Sequence, residues 1–206
     1  MNICPLYRNI TLVCIALAIQ GSSVVFGQFS NSVETDGQEN RPTGTWSDYF
    51  PYHQTQELVQ CQSESEGTAF WAVRTEQALF LYHENDNSLQ RLTTVEGMSE
   101  SNPTALAWDE DGEILMVGYA SGKLDLFSNS GDWLYTFNDI PQSNLIGDKS
   151  ILQLMWGGAN DPDMVYTACG FGIVAMNIRS LDVRDTWYLE GQQNLRRCAG
   201  IAVHAT

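Results

Sequence analysis

The stretch DEDGE, Asp109 to Glu113, comes closest to a binding device, because Asp109, Asp111 and Glu113 set carboxylates at alternating positions. Calcium needs about six to eight oxygens spread over a longer ligand register. Asp111-Gly112 also stands between the apolar runs TALAWD and EILMV, where a hairpin turn is wanted. The turn reading is therefore preferred to the metal. His53, His83 and His204 lie in different segments, none at ligand spacing, and no HExxH occurs. His83 follows the run LFLY and is expected at a strand end facing solvent. GYASG, Gly118 to Gly122, holds its serine in the wrong register for a nucleophile elbow, so Ser121 is expected to serve a turn. Neither a phosphate-binding loop nor a dinucleotide fingerprint is present. Paired carboxylates for glycoside hydrolysis leave no local signature, and the many Asp and Glu read as a solvated acidic rim. Trp71, Trp108 and Trp156 sit on or at the ends of apolar runs, and Trp187 sits on an outer one. Packing between sheets accounts for them; a stacking platform for sugar rings would require exposed faces. The sequence nominates no catalytic, cofactor-binding or metal-ligating residue.

What would position such residues follows from composition and pattern. The chain has 206 residues, 43% apolar and 17% charged, enough for a buried core. Its formal charge of −15 makes it a poor partner for nucleic acid, whose phosphates demand Lys/Arg clusters, and suits solubility outside the cytoplasm. Arg8 followed by the apolar run ITLVCIALAI predicts a signal peptide over residues 1–27, too short for a membrane span. Cleavage is expected after Gly27, or alternatively after Gly21. Cys14 lacks the preceding small residues of a lipid-anchor signal, and no other segment of the mature chain is a spanning candidate. Residues 28–45 are polar and aperiodic, a linker. Order is expected from Trp46, Tyr49, Phe50 and Tyr52, which could staple the chain to the domain over residues 46–206. Of the mature cysteines, Cys61, Cys169 and Cys198 match no zinc or CxxC pattern. They read as small buried hydrophobes, with one incidental disulfide as the alternative.

From Glu57 onward the chain is a succession of short runs rich in β-branched and aromatic residues, separated by turn residues. Three stretches repeat one shape: AVRTEQALFLY, YASGKLDLF and ACGFGIVAM. Aligning them superposes Leu79, Leu124 and Ile173 at spacings of roughly 45 and 49, in the range of a four-stranded propeller blade. The fold class predicted is all-β, with about three four-stranded antiparallel blades of an incomplete β-propeller. Gly97, Gly112, Gly122, Gly170 and Gly172 are its expected structural turns, with Gly122, Gly170 and Gly172 suited to positive φ. Ala78 replaces the Lys123 and Gly172 of the other copies, so the first turn should differ in type. The terminal AGIAVHAT resembles the opening strand of a fourth blade. The chain therefore reads as the front piece of a larger protein, and NLRRCAGIAVHAT as its true continuation or the product of a frame error.

WSDYFPY, the stretch from Ala78 to Phe127, the DIPQSN and KSI segments, and ACGFGIVAMNIRSLDVRDTWYLEG together resemble the N-terminal propeller of the PorZ family. Within them EGMSE resembles the family's interblade "GLS" turn, with Met98 in the Leu place. More distantly the repeats resemble two-component-regulator propellers. The resemblance covers Trp46 to about Gly191. It implies an exported, non-enzymatic surface component of type IX secretion in Bacteroidetes, in the periplasm or at the outer-membrane surface of a Gram-negative bacterium. Implied partners are other attachment-complex proteins or anionic lipopolysaccharide, with no cofactor. Two other readings stay open: the sensor propeller of a hybrid two-component regulator, and a carbohydrate-active propeller enzyme.

Overall fold

The structure, a computed structural model, describes residues 54–63, 67–145, 147–189 and 197–202. The expected signal peptide, linker and WSDYFPY cluster, with His53 and His204, lie outside the described residues. Twelve strands form three four-stranded antiparallel sheets, each a meander in chain order. Blade 1 is β1 (Glu57–Ser63), β2 (Thr68–Arg74), β3 (Leu79–His83) and β4 (Ser88–Leu92). Blade 2 is β5 (Pro103–Asp109), β6 (Ile114–Tyr119), β7 (Leu124–Ser128) and β8 (Trp133–Phe137). Blade 3 is β9 (Ile151–Trp156), β10 (Met164–Cys169), β11 (Gly172–Asn177) and β12 (Asp182–Tyr188). Among the described residues, helix is confined to α1 (Asp139–Gln142) and a single 3₁₀ turn, Gly158–Asn160.

The continuous apolar runs have a simple cause. Side chains alternate across a strand, and blade 2 is covered on both faces. Ala105, Ala107, Ile114, Met116, Leu124 and Leu126 join Val165, Phe171, Val174 and Met176 in the core shared with blade 3. The intervening Leu106, Trp108, Leu115, Val117, Tyr119 and Phe127 join Phe70, Ala72, Leu79 and Leu81 in the core shared with blade 1. Every residue of β6 is buried, at about 1.5–3 kcal/mol for each large apolar side chain. The first strands of neighbouring blades lie nearest each other, and Thr104 Oγ1 of β5 donates to the Ile151 carbonyl at 2.7 Å. The outer strands are wetter: Trp133 of β8 is 49% exposed and Trp187 of β12 is 45% exposed.

The glycines divide by cause. Gly97, Gly122 and Gly172 sit at φ of 109°, 89° and 152°. Gly170 is not left-handed; it is needed for room, since a Cβ there would overlap the Asp148 carbonyl. Gly112 likewise leaves the left-handed position to its neighbour Glu113, at φ 52°. In blade 1 the turn closes through Thr75 N–H donating to the Ala78 carbonyl at 2.9 Å, with no left-handed residue. Residues 197–202 form no strand. Instead Cys198 N–H donates to the Cys169 carbonyl at 3.0 Å, and Ile201 N–H to Gln153 Oε1 at 2.7 Å.

Candidate functional site

In a meander, alternate turns fall at opposite ends, so each blade sends its β1–β2-type and β3–β4-type turns to one end. Hydrogen bonds show that the three blades share that end. Ser63 at the end of β1 donates to Glu113 Oε2 in the β5–β6 turn at 3.1 Å. Asn129 in the β7–β8 turn donates to the same oxygen at 2.8 Å. Arg179 in the β11–β12 turn donates to Asp109 Oδ2 at 3.0 Å and approaches Asp163 of the β9–β10 turn at 3.5 Å. The turns at this end carry Glu84, Asp86, Glu110, Asp111, Glu113, Asp132, Asp161 and Asp163 against Arg179, their one cation among the described residues. The opposite end is mixed. There Lys123 pairs with Glu100 at 3.4 Å, and Lys149 Nζ donates to the Pro141 and Ser143 carbonyls at 2.9 and 2.8 Å.

A cleft of about 310 Å³ opens at the acidic end between blades 1 and 2, lined by Ser63, Phe70, His83, Asn85, Asp86, Ser88 and Asn129. His83 does not simply face solvent. It is half-buried, its ring 5.3 Å from that of Phe70. Phe70 in turn meets Trp108 edge-on at 5.5 Å, and the Trp108 indole N–H has no partner among the described residues. The Ser88 hydroxyl, and after it the Ser88 N–H, hold the Asp86 carboxyl below the usual range. A second cleft, of about 370 Å³, lies on the side of blade 3 turned away from blade 2, where Tyr166 and Trp187 stack at 6.4 Å.

DEDGE is a buttressed turn. Asp109 Oδ1 accepts the Asp111 and Gly112 N–H groups at 3.1 and 3.0 Å, and Arg179 takes Oδ2. Burial pushes this carboxyl above its usual range, against the two N–H groups and the guanidinium. Gly112 is essential to the close approach, because a Cβ there would overlap Arg179 and Asp109 Oδ2. Among the described residues no group of three His, Cys, Asp or Glu is placed to hold a metal ion. Ser121 sits in the β6–β7 turn, where its Oγ accepts the Lys123 N–H at 3.4 Å. Trp71 donates to Glu84 at 2.6 Å and Trp156 to the Pro162 carbonyl at 2.8 Å, so both indoles secure turns.

Pattern reading missed one fully enclosed carboxylate. Asp125 is 0% exposed on β7. It accepts Ser99 N–H and Oγ–H at 2.7 Å each, Tyr119 Oη–H at 2.7 Å and Thr136 Oγ1–H at 2.6 Å. Trp133 Nε1 donates to Thr136 Oγ1 at 3.0 Å, extending the chain of bonds to the surface. Burial and the facing Asp125 charge push the Tyr119 phenol well above its usual range. With its lone pairs engaged by four donors, Asp125 locks the EGMSE interblade turn to blade 2. The one sequence signal was a charged residue inside an otherwise apolar strand, KLDLF.

A family described as the PorZ N-terminal β-propeller domain of type IX secretion matches residues 72–204. Among solved structures, PorZ of Porphyromonas gingivalis aligns with a TM-score of 0.59 at 19% identity over 70% of this chain. It is described as an essential bacterial surface component of the type IX secretion system. The present chain spans 18% of that PorZ chain. The WD40 repeats of RRP9 align with a TM-score of 0.47 at 15% identity, covering 68% of this chain and 41% of theirs. No curated protein sequence matches the chain. Among the described residues, no helix is long and apolar enough to cross a membrane. Three stacked four-stranded blades, and a family match spanning more than half the sequence, establish that this chain belongs to the PorZ N-terminal β-propeller family.

Proposed function

We propose that this propeller is a non-catalytic docking scaffold of type IX secretion, exported to the cell surface, whose acidic loop face receives a basic surface of a protein partner. The observation that carries the reading is the difference between the two ends of the blades. One end carries eight carboxylates and, among the described residues, the single cation Arg179, while the other mixes both signs. Such a face steers and orients cationic partners and repels anionic ones. Charge therefore favours a protein over anionic lipopolysaccharide at this face. Rigidity supports the role: the turns are braced across blades by Ser63–Glu113–Asn129 and Asp109–Arg179, so the face arrives preorganised.

The test is carbodiimide crosslinking of the chain to solubilised type IX attachment-complex proteins, with purified lipopolysaccharide bound in parallel. Charge reversal at Glu84, Asp132 and Asp161 should abolish the protein crosslink, and binding should weaken steeply with salt. Protein binding indifferent to both would refute the reading, and lipopolysaccharide bound in preference would transfer the function to the glycan.

A further inference from the structure

The segment after blade 3 returns to it at one particular residue. Cys198 N–H donates to the carbonyl of Cys169 at 3.0 Å, and both cysteines are buried. Bond lengths and the geometry of one N–H···O bond keep the two Cα atoms within about 6.5 Å of each other, inside the ~6.8 Å that a disulfide can span. The thiols are weakly engaged. Cys169 Sγ donates to the Thr167 carbonyl at 3.8 Å and Cys198 Sγ to the Gly200 carbonyl at 3.4 Å. A rotation about χ1 gives up both bonds. The third cysteine, Cys61, lies in the core between blades 1 and 2 and donates to the Val59 carbonyl at 3.7 Å.

We propose that Cys169 and Cys198 are joined by a disulfide once the chain reaches an oxidising compartment, with Cys61 left free. The compartment rests on the exported reading above; the pairing rests on the geometry. Two thiols lose two protons and two electrons to form one S–S bond. The electrons pass to the disulfide of a thiol–disulfide oxidoreductase, which is reduced to its dithiol. Burial, with a smaller contribution from the nearby Cys198, raises the Cys169 thiol to about 12. The folded thiol is therefore a poor nucleophile, and the bond forms during folding, before blade 3 closes. It fastens residues 197–202 to blade 3 and encloses β11 and β12 in its loop.

The full chain, made with its own leader in a Gram-negative host, is alkylated with N-ethylmaleimide in denaturant without reductant and then digested. The expected result is one linked peptide pair holding Cys169 and Cys198, about 2 Da lighter than its reduced sum, with Cys61 alkylated. A second sample is reduced, denatured and refolded in a buffer of reduced and oxidised glutathione. The link in both samples supports the proposal. The link after refolding alone upholds the pairing and removes the exported compartment. Its absence from both, or pairing of Cys61 with either partner, overturns the proposal. Where the link is present, reduction should lower the melting temperature by roughly 5–10 °C, and Cys198→Ser should abolish that sensitivity.

Discussion

Asp125 offers the sharpest test of how the blades are held in register. Asp125→Ala removes the acceptor of four donors at 2.6–2.7 Å. The Ser99 and Thr136 hydroxyls lie in partly exposed positions and can turn to water, whereas the Tyr119 phenol is 0% exposed and cannot. One buried orphan costs about 1–3 kcal/mol, and losing charge-assisted bonds from the others brings the total to about 3–5 kcal/mol. Asp125→Asn is predicted to behave differently. With its carbonyl in the Oδ2 place it still accepts Ser99 N–H and the Tyr119 phenol. Its amide can donate to the Ser99 and Thr136 hydroxyls, which accept as well as donate. The expected cost falls to about 1–2 kcal/mol. Urea unfolding at neutral pH, followed by tryptophan fluorescence, reads both variants. In a double-mutant cycle, Tyr119→Phe should cost much less in the Asp125→Ala background than in the wild type. A loss below about 1 kcal/mol for Asp125→Ala, or equal losses for Ala and Asn, would refute the argument.

Gly112→Ala forces a methyl group between Asp109 and Arg179 and should destabilise by about 1–3 kcal/mol. Arg179→Ala should cost about 1 kcal/mol because the guanidinium is partly exposed. The two losses should not add, and additive losses in urea unfolding would separate the glycine from the bridge. In the reduced protein, burial raises Cys61 and Cys169 from 9.0 to about 12. A raised folded value means this stabilisation is intact below pH 9 and is lost as pH rises toward 12. The free energy of unfolding should therefore fall across that window by about 1.4 kcal/mol per pH unit for each thiol, and Cys61→Ala should flatten the slope in urea unfolding. Leu58 and Leu89 of blade 1 and Trp187 of blade 3 are 56%, 50% and 45% exposed. The isolated chain should self-associate through these sheet faces. Light scattering should show Leu58→Lys with Trp187→Lys reducing the association; a monodisperse, sharply melting wild type contradicts the prediction.

Sequence alone determined the repeating unit of this protein. Alternation of apolar residues, punctuation by turn residues and a repeat near one blade length are local properties, and they specify β1 to β12 with the meander of each sheet. The equivalence of Leu79, Leu124 and Ile173 was legible for the same reason. Each occupies the β3-type strand of its blade, and Ile173 is half-buried because it lines the side of blade 3 turned away from blade 2. Tertiary structure decided what depends on side chains from different strands, turns or blades meeting. Gly112 reads locally as a hairpin-turn residue, yet its role comes from Arg179, 67 positions away. His83 reads as a solvent-facing strand end until Phe70 of the neighbouring strand reaches its ring. Asp125 reads as an intruder in an apolar strand, because its donors come from Ser99, Tyr119 and Thr136 on separate elements. The acidic face has no local signature either. Its carboxylates are scattered along the chain, and only the shared orientation of the blades gathers them at one end.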